Sequence, residues 1–131
     1  MKLIQGDCLE VMMTLPAQSV DAIITDLPYG TTNCKWDSVI PFAPMWEAVK
    51  HVLKPKGAFV TTASQPFTSA LVMSNPKWFK YEWIWNKDRS SGSVLAKKRP
   101  LKYHENILVF GQGINYFPQM TKGKMQSKAS G

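Results

Sequence analysis

The chain has 131 residues, and its hydrophobic share of 44% and charged share of 19% are those of a single globular domain. No apolar run approaches the roughly 20 residues that a membrane-spanning helix needs, and the first residues lack the apolar region of a signal peptide. Cys8 and Cys34 make neither a disulfide framework nor a metal-ligand spacing. We therefore expect a cytoplasmic protein without a membrane segment and without a metal.

The net charge of +7 comes entirely from the second half of the chain. Residues 1–66 carry five lysines against six carboxylates, whereas residues 67–131 carry eleven lysines or arginines against three carboxylates. A positive field of this kind attracts polyanions and raises their encounter rate. The asymmetry favours nucleic acid as a partner, although a surface selected for solubility alone would carry the same excess.

In chain order, short apolar runs alternate with amphipathic segments, which predicts strands and helices in alternation. Strands are predicted at 2–5, 21–25, 58–62, 79–85 and 105–110, and helices at 8–15, 41–53 and 66–73. This order predicts an α/β fold with a mostly parallel sheet, an antiparallel hairpin at its edge and helices on both faces. Residues 87–104 are polar and basic and are predicted to form a mobile excursion, and residues 122–131 are predicted to be disordered.

The most informative segment is Asp26-Leu27-Pro28-Tyr29, which follows directly after the predicted strand 21–25. A carboxylate and a backbone carbonyl can each accept one N–H of an exocyclic amino group, and an aromatic ring can stack on a planar heterocycle. Pro28 stiffens the loop and pushes Leu27 toward extended backbone conformations. The segment therefore suits the binding of an amino-substituted base, although the same composition also occurs in simple turns.

The segment resembles the Asp-Pro-Pro-Tyr motif of the amino-group DNA methyltransferases, which transfer methyl from S-adenosylmethionine to adenine N6 or cytosine N4. The resemblance implies a partial Rossmann-like methyltransferase sheet, S-adenosylmethionine as cofactor, DNA as partner, and Asp26, Leu27, Pro28 and Tyr29 as catalytic residues. Leu27 stands at the second motif position, whose role is carried by a main-chain carbonyl. Aspartate at the first position favours adenine over cytosine. The implied setting is a bacterial or phage-encoded enzyme of the restriction–modification kind.

Gly6, Asp7 and Cys8 are predicted to lie at the carboxyl end of the first strand, which is the edge where open α/β sheets bind ligands. The family resemblance includes such a Gly-Asp element, in which the acidic residue holds the adenosine part of the cofactor. It therefore assigns Asp7, Cys8 and Asp26 to cofactor binding. Asp7 also precedes a predicted helix, so capping of that helix is the alternative, and the two roles can coexist.

Two further segments are predicted to contact DNA. Residues 29–37 are similar to a loop of phage-type adenine methyltransferases, which would place Lys35 near phosphate and Trp36 against the body of the protein, with burial of Trp36 in the core as the alternative. Residues 100–110 are similar to another stretch of these enzymes. The phosphate contacts predicted there come from four cations: Lys97, Lys98, Arg99 and Lys102. His104 is more typical of a structural histidine than of a base.

The resemblance covers residues 1–118, which we assign to the catalytic portion, and leaves residues 119–131 as a disordered or truncated target-recognition tail. In enzymes with this order of motifs a cofactor motif, Phe-x-Gly-x-Gly, follows the recognition region, and this sequence does not contain it. We therefore expect weak binding of S-adenosylmethionine by the isolated chain. Three explanations stay open: a truncated methyltransferase, one completed by self-association or by a missing C-terminal half, or a DNA-binding module without catalysis. Methylation of RNA or of a protein glutamine is a further alternative, and Asp26 counts against glutamine.

Overall fold

A computed structural model describes residues 1–35 and 37–123 of the chain. The helices are α1 (Cys8–Thr14), α2 (Phe42–Val52) and α3 (Phe67–Ser74), with a short 3-10 turn at Ser93–Leu95. The strands are β1 (Val20–Asp26), β2 (Leu53–Ala63), β3 (Phe79–Ser91) and β4 (Lys102–Phe110). The strand predicted at 2–5 is wrong, because these residues pair with no neighbouring strand of the described chain and form no ladder.

The strands form one mixed sheet in the order β1-β2-β4-β3, which confirms the expected α/β class. The parallel share is smaller than predicted, because only β1 and β2 run parallel, whereas β2–β4 and β3–β4 are antiparallel. Helix α2 provides the long crossover that a parallel pair requires. The link from β3 to β4 contains no such helix, so these strands turn back on each other as the predicted hairpin.

The core lies between the helices and one face of the sheet. Phe59 of β2 and Phe110 of β4 pair across the sheet, and the indole of Trp46 on α2 packs on both, with ring centroids 5.3 and 5.1 Å away. Leu71 of α3 and Leu108 of β4 complete this cluster, and both side chains are fully buried. The apolar positions of α2 recur three and four residues apart, which is why one side of that helix is buried.

The opposite face of the sheet carries Ile24, which is 81% exposed, whereas its neighbour Ile23 packs against the core. Successive residues of a strand face opposite sides, so this contrast separates the two faces. Helix α2 contacts both α1 and α3, and all three lie on the core side. We expected helices on both faces; in residues 1–35 and 37–123 they cover one.

Two boundaries differ from the sequence prediction for local reasons. Lys54–Gly57 was expected to end a helix, but the chain passes directly from α2 into β2, where the pairing register shifts between Val20 and Ala22 of β1. A side chain on Gly57 would meet the Asp21 carbonyl oxygen at 2.9 Å, so this irregular stretch requires glycine there. The predicted excursion 87–104 is shorter than expected, because β3 continues to Ser91 and β4 already begins at Lys102.

The described chain continues after β4 without helix or strand to residue 123. Of the predicted tail 119–131, residues 124–131 lie outside the described part of the chain. In the described part of the chain the longest helix has eleven residues, and no helix there is long and apolar enough to cross a membrane.

Candidate functional site

The four residues of the Asp26–Tyr29 segment lie together around one cavity. Strand β1 ends at Asp26, and the loop that follows encloses a volume of about 260 Å³. The lining residues are Asp26, Leu27, Pro28, Tyr29, Thr31, Thr32 and Asp37. The sequence prediction that a carboxylate, a backbone segment and an aromatic ring meet where a strand ends therefore agrees with this geometry.

Asp26 lies in a hydrogen-bonded group with Tyr29 and Thr62. The Thr62 hydroxyl donates to Asp26 Oδ1, and the Tyr29 hydroxyl lies 2.8 Å from Thr62 Oγ1 and 3.1 Å from Asp26 Oδ1. Thr62 reaches the carboxylate because β2 runs parallel to β1 with Thr62 directly opposite Asp26. Sequence reasoning did not identify Thr62, since register between strands is not written in either strand alone.

The ring of Tyr29 packs against an aromatic neighbour. Its ring stacks on Phe67, at the start of α3, with centroids 5.3 Å apart and planes inclined by 26°. Partial burial raises the pKa of Tyr29 to about 12, and the hydrogen bond between Tyr29 and Thr62 opposes this rise. The phenol is therefore protonated at neutral pH and acts as a donor to Thr62 or Asp26.

Asp37 organises the loop that closes the cavity. Its Oδ1 accepts the backbone N–H of Gly30 at 2.8 Å, and its Oδ2 accepts those of Thr31 at 2.9 Å and Thr32 at 2.7 Å. The Thr32 hydroxyl, followed by these backbone donors, lowers the pKa of Asp37. Gly30 has a positive φ of 67°, and a side chain there would lie 2.7 Å from Val39. Asp37 was predicted only as the last residue of the loop 29–37.

Leu27 has two environments. It lines the first cavity, and the residue is only 9% exposed and belongs to the hydrophobic core. Met45 and Phe59 belong to the same cluster.

Two of the three predicted cofactor residues, Asp7 and Cys8, do not line the first cavity. Asp7 caps α1, because its Oδ1 accepts the backbone N–H of Leu9 at 2.9 Å. Cys8 lines a separate, mostly apolar cavity of about 220 Å³ together with Thr25 and Leu27 at the carboxyl end of β1. The helix-capping alternative is therefore realised for Asp7, and only Asp26 of the three residues lines the first cavity.

The predicted DNA-binding cations lie on loops and strand ends. Lys35 is exposed on the loop after Tyr29, and Trp36 lies outside the described residues. Lys97, Lys98 and Arg99 are exposed between β3 and β4, at the sheet edge where β1 and β2 also end. Lys102 begins β4 and donates to the Ser64 hydroxyl just after β2. His104 is an exposed residue of β4 opposite Asn86.

Lys97, Lys98 and Arg99 therefore lie at the same sheet edge as Asp26. The order of the residues in the sequence did not predict this proximity. Among the described residues, no group of three His, Cys, Asp or Glu side chains is placed to hold a metal ion.

Three solved structures of similar fold illustrate the likeness. The M1.HpyAVI–SAM complex aligns with a TM-score of 0.61 and 19% identity over 92% of this chain and 60% of that one. The cytosine-N4-specific PvuII DNA methyltransferase aligns with a TM-score of 0.61 and 16% identity over 82% and 47%. TTHA0409 of Thermus thermophilus, assigned as a DNA modification methylase, aligns with a TM-score of 0.59 and 21% identity over 88% and 54%.

No protein-family model and no curated protein matches the sequence. The chain spans 47% to 60% of the length of the three structures. At identities of 16% to 21%, this likeness is one of fold. The protein therefore has the mixed α/β, Rossmann-like fold that these three structures share.

Proposed function

We propose that this chain is the catalytic portion of an S-adenosylmethionine-dependent DNA methyltransferase that acts on an exocyclic amino group, with adenine N6 favoured over cytosine N4. The observation that carries the proposal is that Asp26, Leu27 and Tyr29 line one and the same cavity. The folds of the M1.HpyAVI–SAM complex and the PvuII DNA methyltransferase support it.

The cavity offers the groups that an amino-substituted base requires. The Asp26 carboxylate and the Leu27 carbonyl are the two proposed acceptors for the N–H bonds. The free face of the Tyr29 ring can stack on the base, because Phe67 already supports the other side. A volume of about 260 Å³ is below the roughly 300–1,000 Å³ of typical ligand sites, so it suits one base and not a base together with a cofactor.

Methyl transfer to an amino group needs no nucleophilic side chain. The nitrogen lone pair is delocalised into the ring, and two acceptors held close would draw the N–H bonds out of the ring plane and localise the pair. The Asp26 carboxylate can then accept the proton that the nitrogen loses. Positioning and fixed electrostatics would supply most of the rate enhancement.

The residues near the carboxyl end of β1 fit part of S-adenosylmethionine. The second cavity is lined by Cys8 and by apolar side chains, which suit an adenine ring, and the exposed Asp7 carboxylate beside it can accept from an amino or hydroxyl group. When bound, the cofactor supplies an electrophilic methyl group on a sulfonium sulfur. We propose that Asp7 and Cys8 hold its adenosine part.

DNA as the partner is supported by where the cations lie. The exposed Lys97, Lys98 and Arg99 follow β3 at the edge that also carries Asp26, and Lys35 is exposed on the adjacent loop. Cations around an entrance of this kind contact phosphates and fix the register of a duplex while the target base leaves its stack.

A second candidate is a DNA-binding module that transfers no methyl group by itself. One observation favours it: the cavity of about 260 Å³ suits a base alone. Such a chain would need self-association or a separate cofactor-binding half for catalysis.

Transfer of labelled methyl from S-adenosylmethionine to duplex DNA distinguishes the candidates. The native protein should label adenine in hydrolysed DNA, and Asp26→Asn should reduce labelling by at least about 100-fold, as the loss of a fixed electrostatic group does elsewhere. Asp21→Asn is the matched control, because Asp21 is an exposed carboxylate at the other end of β1.

Equal labelling by the Asp26→Asn and native proteins would contradict the proposed chemistry. No labelling by the native protein, combined with salt-sensitive DNA binding, would favour the non-catalytic module. Label on cytosine would keep the reaction class and change the base.

A further inference from the structure

We propose that Thr62 is a positioning residue that engages one oxygen of Asp26, Oδ1, and thereby presents the other, Oδ2, to the amino group of the target base. The inference rests on the proposed function, and it adds a residue and an atomic assignment to it. The Asp26–Thr62–Tyr29 hydrogen bonds are the observation that leads to it.

The available protons determine the direction of these hydrogen bonds. Asp26 Oδ1 can only accept while the carboxyl is ionised, so the Thr62 hydroxyl donates to it. The Tyr29 hydroxyl has one proton and lies closer to Thr62 Oγ1, at 2.8 Å, than to Asp26 Oδ1, at 3.1 Å. The resulting chain runs from Tyr29 to Thr62 to Asp26.

The two carboxylate oxygens consequently differ. Both hydroxyl contacts go to Oδ1, and within residues 1–35 and 37–123 no side chain or backbone group donates to Oδ2. Asp26 itself is exposed and lines the cavity. Oδ2 is therefore the oxygen with capacity for a ligand N–H.

Thr62 is well suited to hold a carboxylate in one orientation. A threonine has few side-chain rotamers, because its β-carbon is branched. Its backbone is fixed by flanking residues Thr61 and Ala63, which are 1% and 0% exposed, and by pairing with β1 on one side and β4 on the other. An aspartate at a strand end has two free torsions, so a rigid donor on the next strand removes much of their freedom.

Carboxyl-carbon NMR of Asp26 tests the positioning without relying on catalysis. The Asp26 signal is assigned by its loss in Asp26→Asn and then compared in the native protein, Thr62→Val and Thr62→Ser. Valine has the shape of threonine without the hydroxyl, whereas serine keeps the hydroxyl. The Asp26 signal should shift in Thr62→Val and return toward the native position in Thr62→Ser.

Thr14→Val is the matched control, because Thr14 is an exposed threonine at the end of α1 and bonds only to its own helix. It should leave the Asp26 signal unchanged. If circular dichroism shows that Thr62→Val does not fold, the Asp26 signal is measured in Thr62→Ala instead. An Asp26 signal that is identical in the native protein and in a folded variant without the hydroxyl would overturn the proposal.

The kinetic consequence is a loss in kcat rather than in DNA affinity. A misplaced acceptor typically costs about 10- to 100-fold in rate, so Thr62→Val should lower kcat by about that factor, with KM for DNA within about twofold of native. Thr62→Ser should recover most of the loss. A rise in KM with kcat unchanged would overturn the role in orienting Asp26. A native protein that transfers no methyl would refute the proposed function, while the NMR comparison would still decide the role of Thr62.

Discussion

Leu27 provides the sharpest test of how one residue serves both the core and the site. The residue is 9% exposed and belongs to the cluster that contains Met45 and Phe59, and it also lines the cavity with Asp26 and Tyr29. Leu27→Ala removes three side-chain carbons and leaves the main-chain carbonyl. We therefore expect a loss of stability without a loss of the acceptor.

The magnitude follows from the buried carbons. At about 0.8 kcal/mol for each buried carbon, with a small addition for a cavity at the rim of the core, the loss in unfolding free energy should be about 2 to 3 kcal/mol. For a domain of this size, about 3 to 5 °C accompanies each kcal/mol, so the melting temperature should fall by about 6 to 15 °C.

Urea unfolding followed by circular dichroism measures this loss, and the m-value should stay unchanged. Leu3→Ala is the matched control, because Leu3 is 84% exposed and should change the unfolding free energy by less than about 0.5 kcal/mol. Methyl transfer by folded Leu27→Ala should stay close to native. A stability change as small as that of the control would refute the packing role, and loss of transfer in a folded variant would refute the division between side chain and carbonyl.

Two further predictions concern the loop and the cations. The pKa of Asp37 is lowered in the folded protein. The stability that this carboxylate contributes is therefore fully present above pH 3.8, its ordinary pKa, and is lost as the pH falls through the lower pKa of the folded state. The difference in unfolding free energy between native protein and Asp37→Asn should therefore be constant above about pH 5 and shrink in more acidic urea titrations; a pH-independent difference would contradict this origin. Replacing Lys97, Lys98 and Arg99 by alanine should reduce the slope of log K for duplex DNA against log salt by about 2.7, if each contacts one phosphate. The control with the same charge change uses exposed lysines at the opposite sheet edge, Lys56, Lys77 and Lys80, and an equal effect of both triples would indicate a general attraction and no oriented contact.

The sequence alone determined those helices and strands that a pattern of a few neighbouring residues is enough to predict. The three- and four-residue spacing of Met45, Trp46, Val49 and Val52 was enough for α2, because a helix satisfies its own backbone and needs only one apolar side. The run before Asp26 was enough for β1, and the Asp26–Tyr29 segment was correctly placed at its end.

Tertiary structure alone decided everything that depends on which strands are neighbours. Residues 2–5 have strand composition but no described partner, and strands form only when another strand accepts their hydrogen bonds. The pairing of Asp26 with Thr62 likewise required the register of β1 on β2, and the cluster of Lys97–Arg99 reached that edge only because β3 and β4 run antiparallel. Contacts between residues distant in the chain are set by packing, since a strand's own sequence does not specify the residue opposite each position.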